Sequence, residues 1–186
     1  MGGVERATSN TLNGLVEMFK TDNLIFLSVF KRNFFFKIDD KIKVIERENI
    51  NINKINLLKT IFYIRKNCLI QKRDNEKCKV LVFGKFYGAI VSLALIFTGI
   101  PIFISDRQSP LYKWGLKNKF FNKISYKLNP PQGVIAQTEI AATYQRKYFK
   151  KSKVVVIPNS VREVKLYPEI KREKVILAVG RLNDYL

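Results

Sequence analysis

The stretch KVLVFGKFYGAIVSLALIFTGIPIFISDR, residues 79–107, decides the fold class. Its first part, 79–83, is apolar after Lys79 and of strand length, and Gly84 separates it from a longer apolar segment, 86–98. Gly99-Ile100-Pro101 ends that segment, because proline restricts the residue before it and glycine favours a helix C-terminus. The apolar run 101–105 then indicates a second buried strand. The stretch therefore predicts strand, helix and strand in succession.

The same stretch raises the alternative of a membrane span. Residues 86–104 carry no charge over 19 positions, which satisfies the length rule for a transmembrane helix. The Gly-Ile-Pro break favours a helix that ends near Thr98, followed by a short strand, as in water-soluble α/β proteins. A signal peptide is not expected, because the chain opens on Gly2, Gly3 and charged residues.

Outward from this stretch, helices alternate with strands. Helices are predicted near 7–19, 56–72, 111–128 and 139–149, and further strands at 24–30, 42–45, 134–137, 154–157 and 175–179. Most of these strands are wholly apolar, which is typical of a parallel sheet covered on both faces. The sequence therefore predicts a doubly wound, Rossmann-like α/β fold, in which ligands bind where carboxyl ends of strands lead into helices.

The chain is predicted to divide near its end. The polar segment 162–174 contains Pro168 and is interpreted as a linker between a domain at 1–161 and the first strand of a second domain at 175–186. That last strand has no helix on which to return, and the glycine turn at residue 2 has no strand before it. Both ends are therefore expected to be truncated.

Composition excludes several kinds of active site. The chain has 34 Lys and Arg against 15 Asp and Glu, a net charge of +19, and no histidine. Triads that use histidine are excluded, and the commonest zinc ligand is absent. Cys68 and Cys78 lack CxxC spacing, so reduced thiols are expected rather than a metal site or a disulfide. An AT-rich coding sequence would also favour lysine, so the overall charge alone does not indicate a ligand.

The distribution of charge is more informative. Residues 111–153 contain ten basic residues and one acid, Glu139, a field that would attract anionic lipid, nucleic acid or phosphorylated substrates. On a helix over 111–128, one stripe would hold Trp114, Phe121 and Leu128. Another would hold Lys119, Lys123 and Lys127. Such faces suit a helix at a membrane interface, and an ordinary surface helix with snorkelling lysines is the alternative.

Four motifs occur in a fixed order along the chain. They are Gly2-Gly3-Val4-Glu5-Arg6; Ser105-Asp106-Arg107-Gln108-Ser109-Pro110; the pair 134–139 (VIAQTE) and 156–161 (VIPNSV); and 176–182 (ILAVGRL). Together they resemble the N-terminal half of a GT-B glycosyltransferase of family 4. The second motif is similar to a Ser-Glu-Arg-x-x-Pro loop of a subgroup that acts on polyprenyl-diphosphate-linked glycans, with aspartate in place of glutamate.

The resemblance implies retaining transfer of a hexosyl or N-acetylhexosaminyl group from a nucleotide sugar, UDP-linked, to a lipid-linked or polysaccharide-precursor acceptor, as in capsule or O-antigen synthesis. It implies no cofactor, no metal and no nucleic-acid partner. The expected location is cytoplasmic, peripheral to the inner face of the cytoplasmic membrane, with anionic lipid contacted through 111–153. The family's Glu-x7-Glu donor motif is not in the sequence, so the chain is expected to be inactive alone.

The resemblance also assigns candidate residues. Asp106 and Arg107 would be the catalytic pair near the acceptor, and Gly2, Gly3 and Arg181 would bind the donor diphosphate. Lys85, Thr138 and Asn159 would line the cleft. Simpler interpretations stay open: an ion pair within the loop for Asp106 and Arg107, cap and turn chemistry for Thr138 and Asn159, a structural turn for the glycines and an ordinary surface arginine for Arg181.

Two other functions compete with this one. A non-catalytic basic α/β module would bind anionic membrane or nucleic acid through 111–153, with salt-sensitive affinity and none for nucleotide sugars. A Rossmann-type nucleotide enzyme is disfavoured, because no GxGxxG follows a predicted strand.

Overall fold

The computed structural model describes residues 3–20, 23–29, 36–47, 56–109 and 112–159. The elements, in chain order, are α1 (Gly3–Phe19), β1 (Ile25–Ser28), β2 (Lys43–Glu46), α2 (Leu57–Asp74), β3 (Val80–Phe83), α3 (Lys85–Ala94), β4 (Ile102–Ser105), α4 (Leu116–Leu128), β5 (Gly133–Ala136), α5 (Glu139–Tyr148) and β6 (Lys153–Val156). The predicted linker, the predicted strand 175–179, Gly2 and Arg181 lie outside the described residues.

Every strand pairing in the described ranges is parallel. Strands β3, β4, β5 and β6 form one sheet in chain order, and β1 pairs with β2 in a second sheet. The predicted α/β class, with parallel strands and a Rossmann-like alternation of helices, is confirmed. The expectation of one continuous sheet is not met by the described strands, which form two sheets, with no hydrogen-bonded ladder between β1 and β3.

The core lies on the two central strands of the larger sheet. Ile102 and Ile104 of β4 and Val134 and Ala136 of β5 are almost completely buried. Strands covered on both faces need apolar side chains on both faces, which explains why these segments lack the alternating pattern of a half-exposed strand.

Helix α3 occupies the first part of the uncharged segment 86–104, which has the length of a membrane span. It ends at Ala94, four residues before the predicted end, and Gly99 then takes a positive φ of 68° that suits glycine. Arg65 of α2 donates to the carbonyl oxygens of Ala94 and Ile96, each at 2.9 Å, which satisfies acceptors at the helix C-terminus. Among the described helices, none is long and apolar enough to cross a bilayer.

Helix α4 differs most from its prediction. It begins at Leu116 rather than at residue 111, so Trp114 precedes it and stacks on Phe86 with ring centroids 5.9 Å apart. The predicted stripe of Trp114, Phe121 and Leu128 is therefore wrong. Phe121 is half-buried and Leu128 is exposed. The side chains that α4 buries are Asn122, Ser125 and Tyr126.

Helices α3 and α4 approach closely at Gly88. A Cβ at this position would lie 2.7 Å from Tyr126 Oη and 2.8 Å from Ile104 Cδ1, so any larger residue would force these side chains to shift. Tyr126 donates its hydroxyl hydrogen to the carbonyl oxygen of Lys85, and Asn129 Nδ2 donates to the carbonyl oxygen of Ser92 at 2.9 Å. These bonds fix α4 along α3.

The smaller sheet has its own minor core. Leu12 and Val16 of α1 pack with Ile42, which immediately precedes β2. Ser9 Oγ donates to the carbonyl oxygen of Lys37 at 2.7 Å, tying α1 to the segment before β2. The smaller sheet meets the main core at Leu27 and Val29, and Tyr63 Oη of α2 donates to the carbonyl oxygen of Ser28 at 3.4 Å.

Candidate functional site

The candidate site lies at the carboxyl edge of the larger sheet. Backbone bonds hold the segments after its strands side by side. Gly84 N–H donates to Ser105 O (2.9 Å), and Asp106 N–H to Ile135 O (3.1 Å). Ile157 N–H donates to Ala136 O at 2.8 Å. Because parallel strands end at one edge, residues far apart in sequence meet here, and this is where such sheets bind ligands.

Asp106 is the buried acid of this edge, with 6% of its surface exposed. One carboxylate oxygen accepts from Gln145 Nε2 of α5, and the other accepts from the Gln108 N–H at 3.3 Å. Burial raises the pKa of Asp106 above its ordinary value, while the Gln108 N–H, the Lys85 charge and Gln145 act in the opposite direction. The carboxylate is thus held in place by α5 and by its own loop.

Lys85, the first residue of α3, lies beside this acid. Its ammonium nitrogen sits 3.3 Å from the centre of the Tyr148 ring and 5.3 Å from that of Phe149. Burial lowers the pKa of Lys85, and the charge of Asp106 partly restores it. Cation–π contact and a nearby carboxylate stabilise the ammonium group where water is partly excluded.

Arg107 extends from the same loop toward solvent. It donates to Asn159 Oδ1, which also accepts from Gln137 Nε2 at 2.9 Å. The guanidinium carbon lies 5.3 Å from the centre of the Phe83 ring. Arg107 Nε is buried and has no hydrogen-bond partner in the described part of the chain. Burial lowers the pKa of Arg107, yet a guanidinium stays protonated in a protein.

The structure thus brings four predicted residues together: Lys85, Asp106, Arg107 and Asn159. The ion pair proposed as an alternative for Asp106 and Arg107 does not form between them, because Asp106 is bound by Gln145 and Arg107 by Asn159. Thr138 is the N-cap of α5, where its side chain accepts from the Ala141 N–H at 3.1 Å. That contact is the helix-capping role that was the alternative interpretation of this residue.

Of the residues assigned to the donor, the structure describes only Gly3. Gly3 is the first residue of α1, in the smaller-sheet region, and Gly2 and Arg181 lie outside the described ranges. Their predicted role in donor binding stays a prediction.

Sequence reasoning did not single out Gln145, Tyr148 or Gln137. A signal existed for Gln145, because it shares the inward face of α5 with Ala142 and is spaced four residues from Phe149, both buried. A polar side chain at an inward helical position needs a partner, here Asp106. Gln137 follows β5 at the position that Asp106 takes after β4, which is a signal of the same kind.

Other kinds of site have little support. Within the described ranges, no three His, Cys, Asp or Glu side chains cluster as metal ligands would. Cys68 and Cys78 are free thiols, and burial raises the pKa of Cys68 to about 12, so it is a poor nucleophile. An open depression of about 570 Å³ lies elsewhere, between the second half of α1 and residues 37–41, and mixes Lys20 and Lys41 with Glu17 and Asp39. It shares no residue with the carboxyl edge.

No known family model matches the chain, and no curated protein sequence matches it either.

Proposed function

We propose that the carboxyl edge of the larger sheet is the acceptor side of a glycosyltransferase that transfers a hexosyl or N-acetylhexosaminyl group from a nucleotide sugar to a lipid-linked glycan. The four motifs point to this class of enzyme. The described residues add a cationic cluster at the sheet edge where this fold class binds ligands.

Arg107 is the observation that carries the proposal. A polyprenyl-diphosphate acceptor presents phosphate oxygens, which a planar guanidinium can bind through two parallel hydrogen bonds. Arg107 is oriented by Asn159 and Phe83, and its buried Nε has no described protein partner. A buried donor without a partner costs about 1–3 kcal/mol, which a phosphate oxygen or a water would relieve.

Asp106 and Lys85 have distinct parts in this proposal. Asp106 is too enclosed by Gln145 and the Gln108 N–H to be the first group an acceptor meets, so we assign it the positioning of the Arg107 loop. Lys85 adds positive charge beside the same loop and is held by Tyr148. The acceptor diphosphate would therefore meet Arg107 first and Lys85 second.

Titration of the purified chain with farnesyl diphosphate, a soluble polyprenyl diphosphate, tests the proposal by calorimetry. Arg107→Ala is expected to weaken binding at least tenfold, since a hydrogen-bonded charge pair contributes about 1.5–3 kcal/mol. Arg107→Lys should recover only part of the affinity, because lysine keeps the charge but cannot make two parallel hydrogen bonds as a guanidinium does. UDP-N-acetylglucosamine is expected not to displace the probe, since donor and acceptor bind separately.

Arg146→Ala is the matched control. Arg146 is an exposed arginine of α5 that pairs with Glu139 at 3.4 Å, so its loss should change the affinity less than twofold. Equal weakening by both arginine variants would mean general charge attraction and would contradict the proposal. Equally tight binding of farnesol, which lacks phosphate, would contradict it as well.

A further inference from the structure

Helix α4 leaves a row of large apolar side chains exposed to solvent. Leu116, Phe120, Ile124 and Leu128 recur at every fourth position on its solvent side and are 85%, 67%, 39% and 55% exposed. We call these four residues the outer stripe. The side directed at the protein carries Tyr126 and the half-buried Phe121, which pack in the core, together with the buried Asn122 and Ser125. A helix that only had to cover a core would carry polar residues on its outer side.

Positive charge accompanies the outer stripe. Lys117, Lys119, Lys123 and Lys127 are all exposed, and α4 contains no acidic residue. The only ion pair found in the described part of the chain joins Arg146 and Glu139, so none involves these lysines. Lysine can lay its methylene stem along an apolar surface while its ammonium reaches toward the headgroups.

Together, the exposed apolar stripe and the lysines match one kind of partner. A helix of 13 residues is about 20 Å long, enough to lie along a membrane surface with its apolar side among the acyl chains. A nucleic acid would meet the lysines and leave the stripe exposed. A protein partner fits poorly, because lysine is depleted from the centres of protein interfaces. We propose that the outer stripe of α4 and its four lysines dock the protein on an anionic lipid bilayer.

This proposal does not depend on the proposed glycosyl transfer. It uses α4 and no residue of the cluster around Arg107, so the two can fail separately. Arg107→Ala is expected to leave vesicle binding unchanged, and the α4 variants are expected to leave farnesyl diphosphate binding unchanged.

Co-sedimentation with vesicles is the test. Vesicles of phosphatidylcholine with 30% phosphatidylglycerol should bind the chain, pure phosphatidylcholine much less, and added salt should weaken binding. The double variant Leu116→Ser/Phe120→Ser should lose at least tenfold in partition coefficient. Phe62→Ser is the matched control, because Phe62 is 68% exposed on α2, and it should bind as the unmodified chain does.

A second pair of variants isolates charge. Lys119→Gln/Lys123→Gln should weaken binding by about fivefold per lysine removed, as expected near an anionic surface. Lys150→Gln/Lys151→Gln removes the same charge from the turn after α5 and should have a smaller effect. Equal effects of the two pairs would overturn a specific role for α4. Binding to a DNA duplex without binding to vesicles would also overturn it.

Trp114 gives a readout that does not depend on sedimentation. It is the chain's single tryptophan and lies two residues before α4. Lipids brominated near the headgroup are expected to quench its fluorescence in anionic vesicles and not in the Leu116→Ser/Phe120→Ser variant. Unquenched fluorescence with vesicles fully bound would contradict docking through α4. Thermal melts of every variant verify folding, and because the substituted side chains are exposed, the melts should stay close to that of the unmodified chain.

Discussion

Helices α3 and α4 lie side by side and differ in where they place their large aliphatic side chains. In α3 the apolar residues Ala89, Ile90, Val91 and Ala94 are buried against the sheet. In α4 the large aliphatic side chains point outward, while Asn122 and Ser125 are buried. Apolar content alone therefore does not show which residues build the core. Which side chains enter the core depends on which side of each helix packs against the rest of the protein.

The largest difference in stability is expected between two variants, one truncating a buried apolar side chain of α3 and the other an exposed one of α4. Leu95→Ala removes a nearly fully buried side chain at the C-terminus of α3 and should lower the free energy of unfolding by about 2–5 kcal/mol. Phe120→Ala on α4 should change it by about 0.5 kcal/mol or less, because Phe120 is exposed. Urea denaturation of both variants measures the difference. Similar losses would mean that Phe120 packs in the core after all.

The next effect concerns the point where the two helices meet. Gly88→Ala places a Cβ against Tyr126 Oη and Ile104 and should cost about 1–3 kcal/mol. Gly14→Ala in α1 is the matched control, since an added Cβ there meets nothing within 4 Å. That control should stabilise the protein by about 0.5–1 kcal/mol. If thermal melts show that Gly88→Ala lowers stability while Gly14→Ala raises it, Gly88 is needed for the close contact between the helices. Changes in stability of the same sign would refute that role.

A smaller loss is expected from the hydrogen bond between the helix ends. Asn129→Ala removes the donor that binds the carbonyl oxygen of Ser92 and should lower stability by about 1 kcal/mol. Asn118→Ala serves as the comparison, because Asn118 is an exposed residue of the same helix. It should stay within about 0.5 kcal/mol of the unmodified chain. If the two variants are equally stable, the bond from Asn129 does not fix α4 on α3.

The smallest expected effect is a change in how stability depends on pH, and it involves Asp106 at the carboxyl edge of the larger sheet. The folded-state pKa of Asp106 is raised above the ordinary value of 3.8, chiefly by burial. The native state therefore holds this proton more strongly than the unfolded state does. Its contribution to stability is full below pH 3.8 and is lost as pH rises through the folded-state pKa.

Asp106→Asn removes this titration. Denaturant melts across the acidic range should show the variant gaining stability relative to the unmodified chain as pH rises above about 4. The measured quantity is the difference between the two stability profiles, so titrations shared by both proteins cancel. A difference that is flat with pH, or that falls, would contradict the raised pKa.

Much of the fold was predictable because it depends on local pattern. The apolar runs that became β3, β4, β5 and β6 were predicted to within one residue at each end. Gly84 and the Gly-Ile-Pro break marked the limits of α3 on the sequence, although α3 ends four residues earlier than predicted. The division into two sheets was not predictable, because the hydrophobic pattern of a strand does not specify which other strand pairs with it.

The candidate site was predictable only in part. Asp106, Arg107 and Asn159 were proposed from the resemblance of their motifs. Their positions after predicted strands agreed with that proposal, because the ends of parallel strands converge at one edge. Their partners were harder to find: Gln145 reaches Asp106 from the far end of α5, 39 positions along the chain. Which nearby groups pair with each other depends on distances of a few ångströms.

The sequence by itself determined the α/β class, the order of its helices and strands, and the positive charge of 111–153, because periodicity and composition are local properties of the chain. Only the tertiary structure decided that Asp106 binds Gln145 rather than Arg107, and that the outer stripe of α4 faces solvent. The physical reason is that burial and pairing depend on how elements pack against one another. On α4, the side that α3 covers is the one carrying Asn122, Ser125 and Tyr126, and the outer stripe is left exposed.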